Sequence, residues 1–250
     1  MTDFTGLTAI VTGGESGIGA ATVALLRARG ARVASLDPTA GPHSASDLGV
    51  VCDISDRASV DAAVARVVDA FGGLDVLVNN AGIGAVGDVT ANDDAEWTHV
   101  LDVNVVGTAR VSRAALPHLR ASGSAAIVHT CSMVAAAGYP QRALYSASKG
   151  AIAALTLAMA ADHVHEGIRV NAVLPSTTQT PWVERLLAAA DDPPAAAAAL
   201  RARQPIGRLV SADEVAHAIA YLASPLAGST TGTLLGVDGG AVGVRVPPRS

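Results

Sequence analysis

Short apolar segments alternate with longer, alanine-rich segments along the whole chain. The apolar segments are rich in β-branched residues and are continuously apolar, which is typical of strands buried on both faces of a parallel sheet. They lie at 7–12, 31–36, 49–52, 74–79, 125–131, 168–174 and 233–237. The segments between them predict helices at 17–29, 56–71, 93–120, 144–165 and 211–223. This order predicts the α/β class, with a doubly wound parallel sheet and helices on both of its faces.

The composition favours one large core. Half of the 250 residues are hydrophobic, and no Ser/Gly linker or charge block divides the chain, so we expect a single domain over 1–250. The formal net charge is −5, and the 17 Lys and Arg residues are spread along the chain. A nucleic-acid-binding protein needs a basic stripe, so we do not expect nucleic acid as a partner.

The cysteines and the N-terminus predict a location. Cys52 and Cys131 are far apart and belong to no Cys/His cluster, so we expect two buried, reduced thiols in a reducing compartment. The first residues lack a basic region and a cleavage site, and no uninterrupted apolar run reaches about 18 residues. We therefore expect a soluble, cytoplasmic protein without membrane contact. The seven histidines have no ligand-like spacing, so no metal site is expected.

One segment, 180–209, departs from the alternation of strands and helices. It lies between two predicted strands, has its own helical patches and is interrupted by Pro193 and Pro194. An insertion at this position predicts a small helical lid over a substrate site. The alternative is a helical decoration with no role at the site.

The first predicted strand leads into the sequence TGGESGIG at 12–19, where a helix begins. Gly13, Gly17 and Gly19 allow the backbone to turn tightly and let a pyrophosphate approach the N-terminus of the helix. The strand before this motif and the helix after it favour a dinucleotide-binding turn.

Asp37 ends the second predicted strand, about 20 residues after the glycines. A carboxylate at this point can accept hydrogen bonds from both ribose hydroxyls of adenosine and would repel a 2′-phosphate. Glu15 adds a second negative charge, so the sequence favours NAD over NADP. The alternative is that Asp37 only forms a turn before Pro38.

Tyr145 and Lys149 are four residues apart, so on a helix they share a face. An ammonium group held near the phenol favours tyrosinate and lowers the tyrosine pKa toward the working range of a general acid or base. Ser132 follows a predicted strand and points toward the crevice where open α/β sheets bind ligands. On its own, YxxxK is a common pattern of a surface tyrosine and a solvated lysine.

Together these motifs resemble the short-chain dehydrogenase/reductase family over essentially the whole chain. The matching elements are TGxxxGxG at 12–19, NNAG at 79–82, Asn104, Ser132, YxxxK at 145–149, VNAVLP at 170–175 and VDGG at 237–240. The resemblance implies a Rossmann-like sheet, a nicotinamide cofactor and a homotetramer formed through the YxxxK helix and the C-terminal strand. The apolar 150–161 stretch suits such an interface, although a buried face within one subunit would look the same.

The resemblance also implies roles for single residues. Tyr145 transfers the proton, Ser132 orients and polarises the substrate oxygen, Lys149 binds the nicotinamide ribose, and Asn104 kinks its helix and anchors a water. Cofactor contacts are implied for Gly13, Ser16, Gly17, Ile18, Gly19, Asp37, Asp53, Ile54, Asn80, Ala81, Gly82, Tyr145, Lys149, Thr178 and Thr180. The chain departs from the family at Ser176, where a glycine usually follows the proline, and the loop that holds the nicotinamide is expected to be set differently.

Three arginines suggest the substrate. Arg142 precedes the tyrosine by three residues, while Arg185 and Arg203 lie in the lid. Guanidinium groups that converge on a pocket match a carboxylate. The arrangement is similar to cytosolic 3-hydroxybutyrate dehydrogenases and sugar-acid dehydrogenases, although Arg185 is one residue out of step. We expect an NAD-dependent dehydrogenase of a small hydroxy acid or sugar acid.

Other functions fit the same motifs. If the arginines are surface charges or subunit contacts, the substrate is a neutral sugar, polyol or other secondary alcohol. A 3-oxoacyl carrier-protein reductase is disfavoured, since those enzymes generally prefer NADP. A non-catalytic NADH sensor is disfavoured because all four catalytic residue types are present.

Overall fold

The computed structural model describes residues 3–39 and 45–246, so the ends of the predicted domain and residues 40–44 lie outside the described part. Seven strands form one parallel sheet in the order β3-β2-β1-β4-β5-β6-β9. These strands are β1 (Thr8–Thr12), β2 (Arg32–Asp37), β3 (Leu48–Val51), β4 (Val76–Asn79), β5 (Ala126–Thr130), β6 (Arg169–Pro175) and β9 (Leu234–Val237). The predicted α/β sheet is confirmed, and each predicted strand end is correct to within two residues.

Helices cover both faces of the sheet. They are α1 (Gly17–Ala28), α2 (Arg57–Phe71), α3 (Asp94–Leu101), α4 (Thr108–Leu119), α5 (Ala143–His163), α6 (Pro181–Ala188), α7 (Pro193–Ala202) and α8 (Ala212–Ala223). Short 3₁₀ turns lie at Met133–Ala135, Val164–Glu166 and Pro225–Ala227. Two more strands, β7 (Thr178–Gln179) and β8 (Val210–Ser211), pair in parallel outside the main sheet.

The continuous apolar strands are explained by two cores, one on each face. Along β1, Ile10 joins the core that contains α2 and α4, whereas Ala9 and Val11 join the core that contains α1 and α8. Successive side chains of a strand point to opposite faces, so each strand must be apolar at every position to serve both cores.

The helix predicted over 93–120 contains a π-helical turn, Asp102–Gly107, between α3 and α4. Asn104 lies inside this turn, and its amide forms hydrogen bonds with both the N–H and the C=O of Ile83. The wider turn accommodates one extra residue and brings the buried Asn104 side chain against the loop after β4. No local sequence pattern indicated this turn.

The segment Ala143–Glu166 is long and apolar enough, by length and composition, to cross a membrane. Such evidence is weak, since the core helix of a sheet protein meets the same criteria. Leu144, Ile152 and Thr156 are buried in the fold, and α5 packs against β6. We therefore treat α5 as a core helix.

Candidate functional site

The backbone of the turn between β1 and α1 allows a ligand to approach closely. Gly13 and Gly17 have φ values of +64° and +53°, which only glycine adopts easily. A Cβ atom on Gly19 would lie 2.0 Å from the carbonyl oxygen of Gly13. Ser16 precedes α1 and makes no side-chain cap, so the first N–H groups of the helix remain available. This bare helix N-terminus fits a pyrophosphate.

Ile18 and Ile54 lie beside this region, but their side chains belong to the core. Ile18 is half-buried and packs into the core of α1 and α8. Ile54 is buried against Gly107, and its carbonyl accepts a hydrogen bond from Arg110. The predicted cofactor contact of Ile54 would therefore come from its backbone, whereas Ile18 keeps a partly exposed side chain.

The end of β2 places two carboxylates near the glycine turn. Asp37 is half-buried, and its Oδ1 accepts hydrogen bonds from the N–H and hydroxyl of Thr39, both at 3.1 Å. Glu15 reaches back from the turn, and its Oε1 accepts a hydrogen bond of 2.7 Å from Ser35. Ser35 is two residues before Asp37, so the two side chains share one face of the strand. Ser35 was not among the predicted site residues.

The ends of β1 and β4 are joined by Thr12, another residue that the sequence analysis did not select. Its Oγ1 accepts hydrogen bonds from the N–H groups of Asn80 and Ala81, each at 3.0 Å. The Asn80 amide donates to the carbonyls of Thr12 and Gly13, which fixes the glycine turn against the loop after β4.

Asp53 is exposed after β3. Its Oδ1 accepts hydrogen bonds from the hydroxyl and the N–H of Ser55, and these bonds hold the pKa of the carboxyl below its ordinary value. The carboxylate is therefore ionised at neutral pH and available at the edge of the site.

Tyr145 and Lys149 lie on one face of α5, as the spacing predicts. The Lys149 ammonium nitrogen is 5.8 Å from the centroid of the Tyr145 ring and donates a hydrogen bond of 2.9 Å to the carbonyl of Thr130. Lys149 is 6% exposed, and in the described part of the chain it forms no ion pair with a carboxylate. A buried ammonium without a partner anion favours an anion nearby.

Ser148 connects these residues to Asn104. The Asn104 amide donates to the Ser148 hydroxyl at 3.1 Å, and that hydroxyl donates to the carbonyl of Tyr145 at 2.8 Å. Gly82 lies on the other side, where a Cβ would be 3.0 Å from Asn104 Oδ1 and 3.6 Å from Lys149 Nζ. The only sequence signal for Ser148 was its position between the tyrosine and the lysine.

Ser132 follows β5 and is 8% exposed. Its Oγ accepts a hydrogen bond of 3.4 Å from the N–H of Val134 and so begins the turn Met133–Ala135. Among the described residues its hydroxyl proton has no acceptor, so Ser132 can donate to a ligand.

Thr178 and Thr180 lie after β6. Thr178 is buried, and its hydroxyl donates to the carbonyl of Ser176 at 3.0 Å. Thr180 caps α6, and its methyl group lies 3.1 Å from the position of a Cβ on Gly17. The start of the lid therefore touches the glycine turn.

The three arginines differ in burial and in their hydrogen bonds. Arg142 is half-buried at the start of α5 and donates to the carbonyls of Ala85 and Gln141. Arg185 and Arg203 are exposed, and neither guanidinium group forms a hydrogen bond or an ion pair with another described residue. In this structure, the described hydrogen bonds and ion pairs do not join the lid arginines to Tyr145.

Trp182 lies at the start of α6 and contacts the loop after β4. Its ring is 3.0 Å from the position of a Cβ on Gly84, yet 48% of the residue is exposed. It is therefore an aromatic surface that bridges the lid and the loop that carries Gly82.

The described residues contain no group of three or more His, Cys, Asp or Glu side chains arranged to hold a metal ion. His129 lies in β5 near Lys149, and burial, with a further contribution from the charge of Lys149, lowers its pKa to about 4. It is therefore neutral at physiological pH.

Comparisons with known proteins show the family of this chain. A family model described as enoyl-(acyl carrier protein) reductase matches residues 13–242. The chain is 42% identical to cis-4-hydroxycyclohexanecarboxylate dehydrogenase of Sinomonas cyclohexanicum, over 94% of this chain and 96% of that protein. It is 37% identical to 2-(S)-hydroxypropyl-CoM dehydrogenase 3 of Xanthobacter autotrophicus, over 94% and 96% of the two chains.

Among solved structures, the aldohexose dehydrogenase of Thermoplasma acidophilum superposes with a TM-score of 0.92 at 31% identity, over 100% of this chain and 98% of that one. Family members of this kind use nicotinamide cofactors, and the glycine turn described above fits one. The matches extend over nearly the whole chain, and the three similar proteins named here are dehydrogenases. This chain belongs to the short-chain dehydrogenase/reductase family, as an oxidoreductase that acts on CH–OH groups.

Proposed function

We propose that this protein is an NAD-dependent dehydrogenase that interconverts a secondary alcohol and a ketone on a small, carboxylate-bearing substrate. The observation that carries the proposal is the buried Lys149 ammonium beside the Tyr145 ring, with no partner carboxylate in the described chain. The ammonium group stabilises the negative charge that develops on the Tyr145 oxygen during proton transfer. Tyr145 then accepts the hydroxyl proton of the alcohol, or returns it to the ketone in the reverse direction.

The other residues orient the reactants. The Ser132 hydroxyl donates a hydrogen bond to the substrate oxygen, and the Asn104–Ser148 hydrogen bonds hold the first turn of α5 in place. When bound, NAD would accept the hydride that leaves the carbinol carbon of the alcohol. The residues that would hold it are the glycine turn, Asp37, Asp53, Asn80, Ala81, Gly82, Lys149, Thr178 and Thr180.

The choice of NAD rests on Asp37 and Glu15. Both carboxylates face the end of β2, where the adenosine ribose is expected, and both oppose a 2′-phosphate. We expect kcat/KM to be at least 100-fold higher with NAD than with NADP. Equal values for the two cofactors would refute this part of the proposal.

The substrate class rests on Arg142 and Trp182. Arg142 lies at the N-terminus of the helix that carries Tyr145, and Trp182 offers an exposed aromatic face between lid and loop. These groups suit a carboxylate and an apolar body. The compound in the name of one similar protein, cis-4-hydroxycyclohexanecarboxylate, combines a carboxylate with an apolar ring. We therefore add alicyclic hydroxy acids to the expected 3-hydroxybutyrate-like and sugar acids.

The second candidate is a dehydrogenase of neutral secondary alcohols. It is favoured by Arg185 and Arg203, which are exposed and without a described partner, and by the hydrogen bonds of Arg142 to backbone carbonyls. In that case these arginines are surface charges, and the lid selects its substrate by shape alone.

An initial-rate screen separates the two candidates. We would follow NADH formation with cis-4-hydroxycyclohexanecarboxylate, 3-hydroxybutyrate and sugar acids, each beside its methyl ester or uncharged alcohol analogue. We expect activity with the acids, and a KM at least 10-fold higher after Arg142→Ala. Arg66→Ala, on the exposed face of α2, is the matched control. Activity that favours the uncharged analogues and is unaffected by Arg142→Ala would establish the second candidate.

We further propose a cytoplasmic homotetramer. Tyr221, Leu226 and Leu234 are exposed apolar residues on and near α8 and β9, and a second subunit can cover them. Cys52 and Cys131 are free and buried, and burial raises the pKa of the Cys52 thiol to about 11, which suits thiols that stay reduced. Light scattering on the purified protein measures the mass, and a monomer would exclude the assembly.

A further inference from the structure

We propose that Ser176 and Gln204 form a positioning pair that fixes the base of the lid to the loop that carries Thr178. The Ser176 hydroxyl donates a hydrogen bond of 2.6 Å to Gln204 Oε1. The residues are 28 positions apart, and they are 7% and 2% exposed. The inference rests on the proposed function, because it assigns to this pair the placement of a loop that would hold the nicotinamide.

Ser176 is bonded in three directions. Its N–H donates to the carbonyl of Val237 in β9, its carbonyl accepts from the Thr178 hydroxyl, and its side chain bonds Gln204. The Thr178 hydroxyl has used its proton, so its remaining lone pairs can accept a hydrogen bond from an amide such as the nicotinamide carboxamide. The orientation of Thr178 therefore depends on Ser176.

The two helices of the lid bury few side chains against the rest of the protein. Val183 is the buried residue of α6, and α7 has none among the described side chains. The two ends of the lid are joined by the pairing of β7 with β8 and by the bond between Ser176 and Gln204. Since α6 and α7 contribute so little burial, the position of the lid depends on a few attachments: these two, the contact of Thr180 with the glycine turn and the contact of Trp182 with the Gly84 loop.

Glycine is not required at position 176. Among the described residues, Gln141 is the only non-glycine residue with positive φ, so Ser176 has an ordinary backbone. The backbone of Ser176 is therefore unstrained. The difference that serine makes in place of glycine is its hydroxyl group, which reaches Gln204 at the base of the lid.

Gln204 makes the pair sensitive to loss of the serine hydroxyl. Its Nε2 is buried and has no hydrogen-bond partner among the described residues, so the bond to Ser176 is the one that holds its amide. In Ser176→Ala the Oε1 atom of Gln204 also loses its partner, so both ends of the buried amide are unpaired and the amide gains by turning to solvent. In the double variant Ser176→Ala/Gln204→Ala no amide is left to expose. The fold-changes in lid cleavage and NADH Kd of the double variant are therefore expected to be smaller than the product of the fold-changes of the two single variants.

The test uses Ser176→Ala, Gln204→Ala, the double variant, and Gln179→Ala as a control with an exposed side chain in the same region. Trypsin cleavage of the cofactor-free protein after Arg185, Arg201 and Arg203 reports the lid, since all three are exposed. NADH affinity, measured by fluorescence, reports the position of the loop that carries Thr178. Steady-state kcat and KM report catalysis.

For Ser176→Ala we expect lid cleavage at least 5-fold faster, NADH Kd raised about 5-fold and the KM for NAD raised more than kcat falls, with Gln179→Ala like the wild type. Unchanged cleavage and affinity in Ser176→Ala, or single effects that simply multiply in the double variant, would overturn the pair. A wild-type protein that binds no NADH would instead refute the proposed function, while faster lid cleavage in Ser176→Ala would still support the attachment of the lid.

Discussion

Asn79 and His129 lie opposite each other in register on β4 and β5, and each has one buried polar atom without a described partner. Asn79 Nδ2 donates to the Ser112 hydroxyl, whereas Oδ1 is unpaired. His129 Nδ1 is 2.9 Å from the Thr156 hydroxyl, which donates its own proton to the Ile152 carbonyl. The network therefore assigns the proton to Nδ1 and leaves Nε2 as an unpaired acceptor.

Acid should destabilise the protein through His129. Its folded pKa of about 4 is below the ordinary 6.5, so the unfolded chain binds a proton more readily and stability falls as the pH drops from 6.5 to 4. The contribution is on the order of 3 kcal/mol at the lower end. His129→Gln should flatten this part of the profile, measured as the free energy of unfolding in urea at several pH values. The exposed His217→Gln is the control, and an unchanged acid slope in His129→Gln would contradict the assignment.

Gly19→Ala should weaken cofactor binding and lower the stability of the protein. The new Cβ would lie 2.0 Å from the Gly13 carbonyl oxygen, so the glycine turn must move. We expect NADH Kd to rise at least 10-fold and stability to fall by about 1–3 kcal/mol. Gly123→Ala is the control, since nothing lies within 4 Å of its Cβ position. Normal NADH affinity in Gly19→Ala would show that this turn does not form the cofactor site.

Lys149→Met should slow catalysis. Without the ammonium group near its ring, the negative charge that develops on the Tyr145 oxygen during proton transfer is no longer stabilised. We expect kcat to fall about 100-fold or more at pH 7. Steady-state kinetics at saturating NAD measure this change. Tyr145→Phe serves for comparison and should be inactive, and a Lys149→Met variant with the kcat of the wild type would argue against this role.

Glu214→Gln should weaken the start of α8. Glu214 completes the capping box with Ser211, and its bonds with Arg208 at 2.7 and 2.8 Å lower the carboxyl pKa to about 2. Because the folded pKa is depressed, the stabilisation is present above about pH 4.5 and is lost as the pH falls toward 2.

Since the side chain is 43% exposed, solvent screening limits the expected loss at pH 7 to about 0.5–1 kcal/mol. Denaturant midpoints at pH 7 and pH 3 measure it, with the exposed Glu184→Gln as the control. A loss that does not shrink on acidification would point to a cause other than the carboxylate charge.

The local pattern of the sequence was enough to predict the sheet, the glycine turn and the common face of Tyr145 and Lys149. Each of these depends on periodicity within a single element: strands buried on both faces are apolar at every position, and residues four apart on a helix share a face. The strand before Ser132 placed that residue at the crevice, and the family resemblance added Asn104 from its place in the order of motifs.

The tertiary structure alone decided how distant segments meet. The bond from Ser176 to Gln204, the contact of Trp182 with Gly84 and the link from Asn104 to Ser148 join residues 28, 98 and 44 positions apart. It also packs the half-buried Ile18 side chain against one core, buries Ile54 in the other and leaves the lid arginines exposed. Local periodicity contains no information about such partners, because they are selected by the packing of the sheet and its helices rather than by the conformation of one segment.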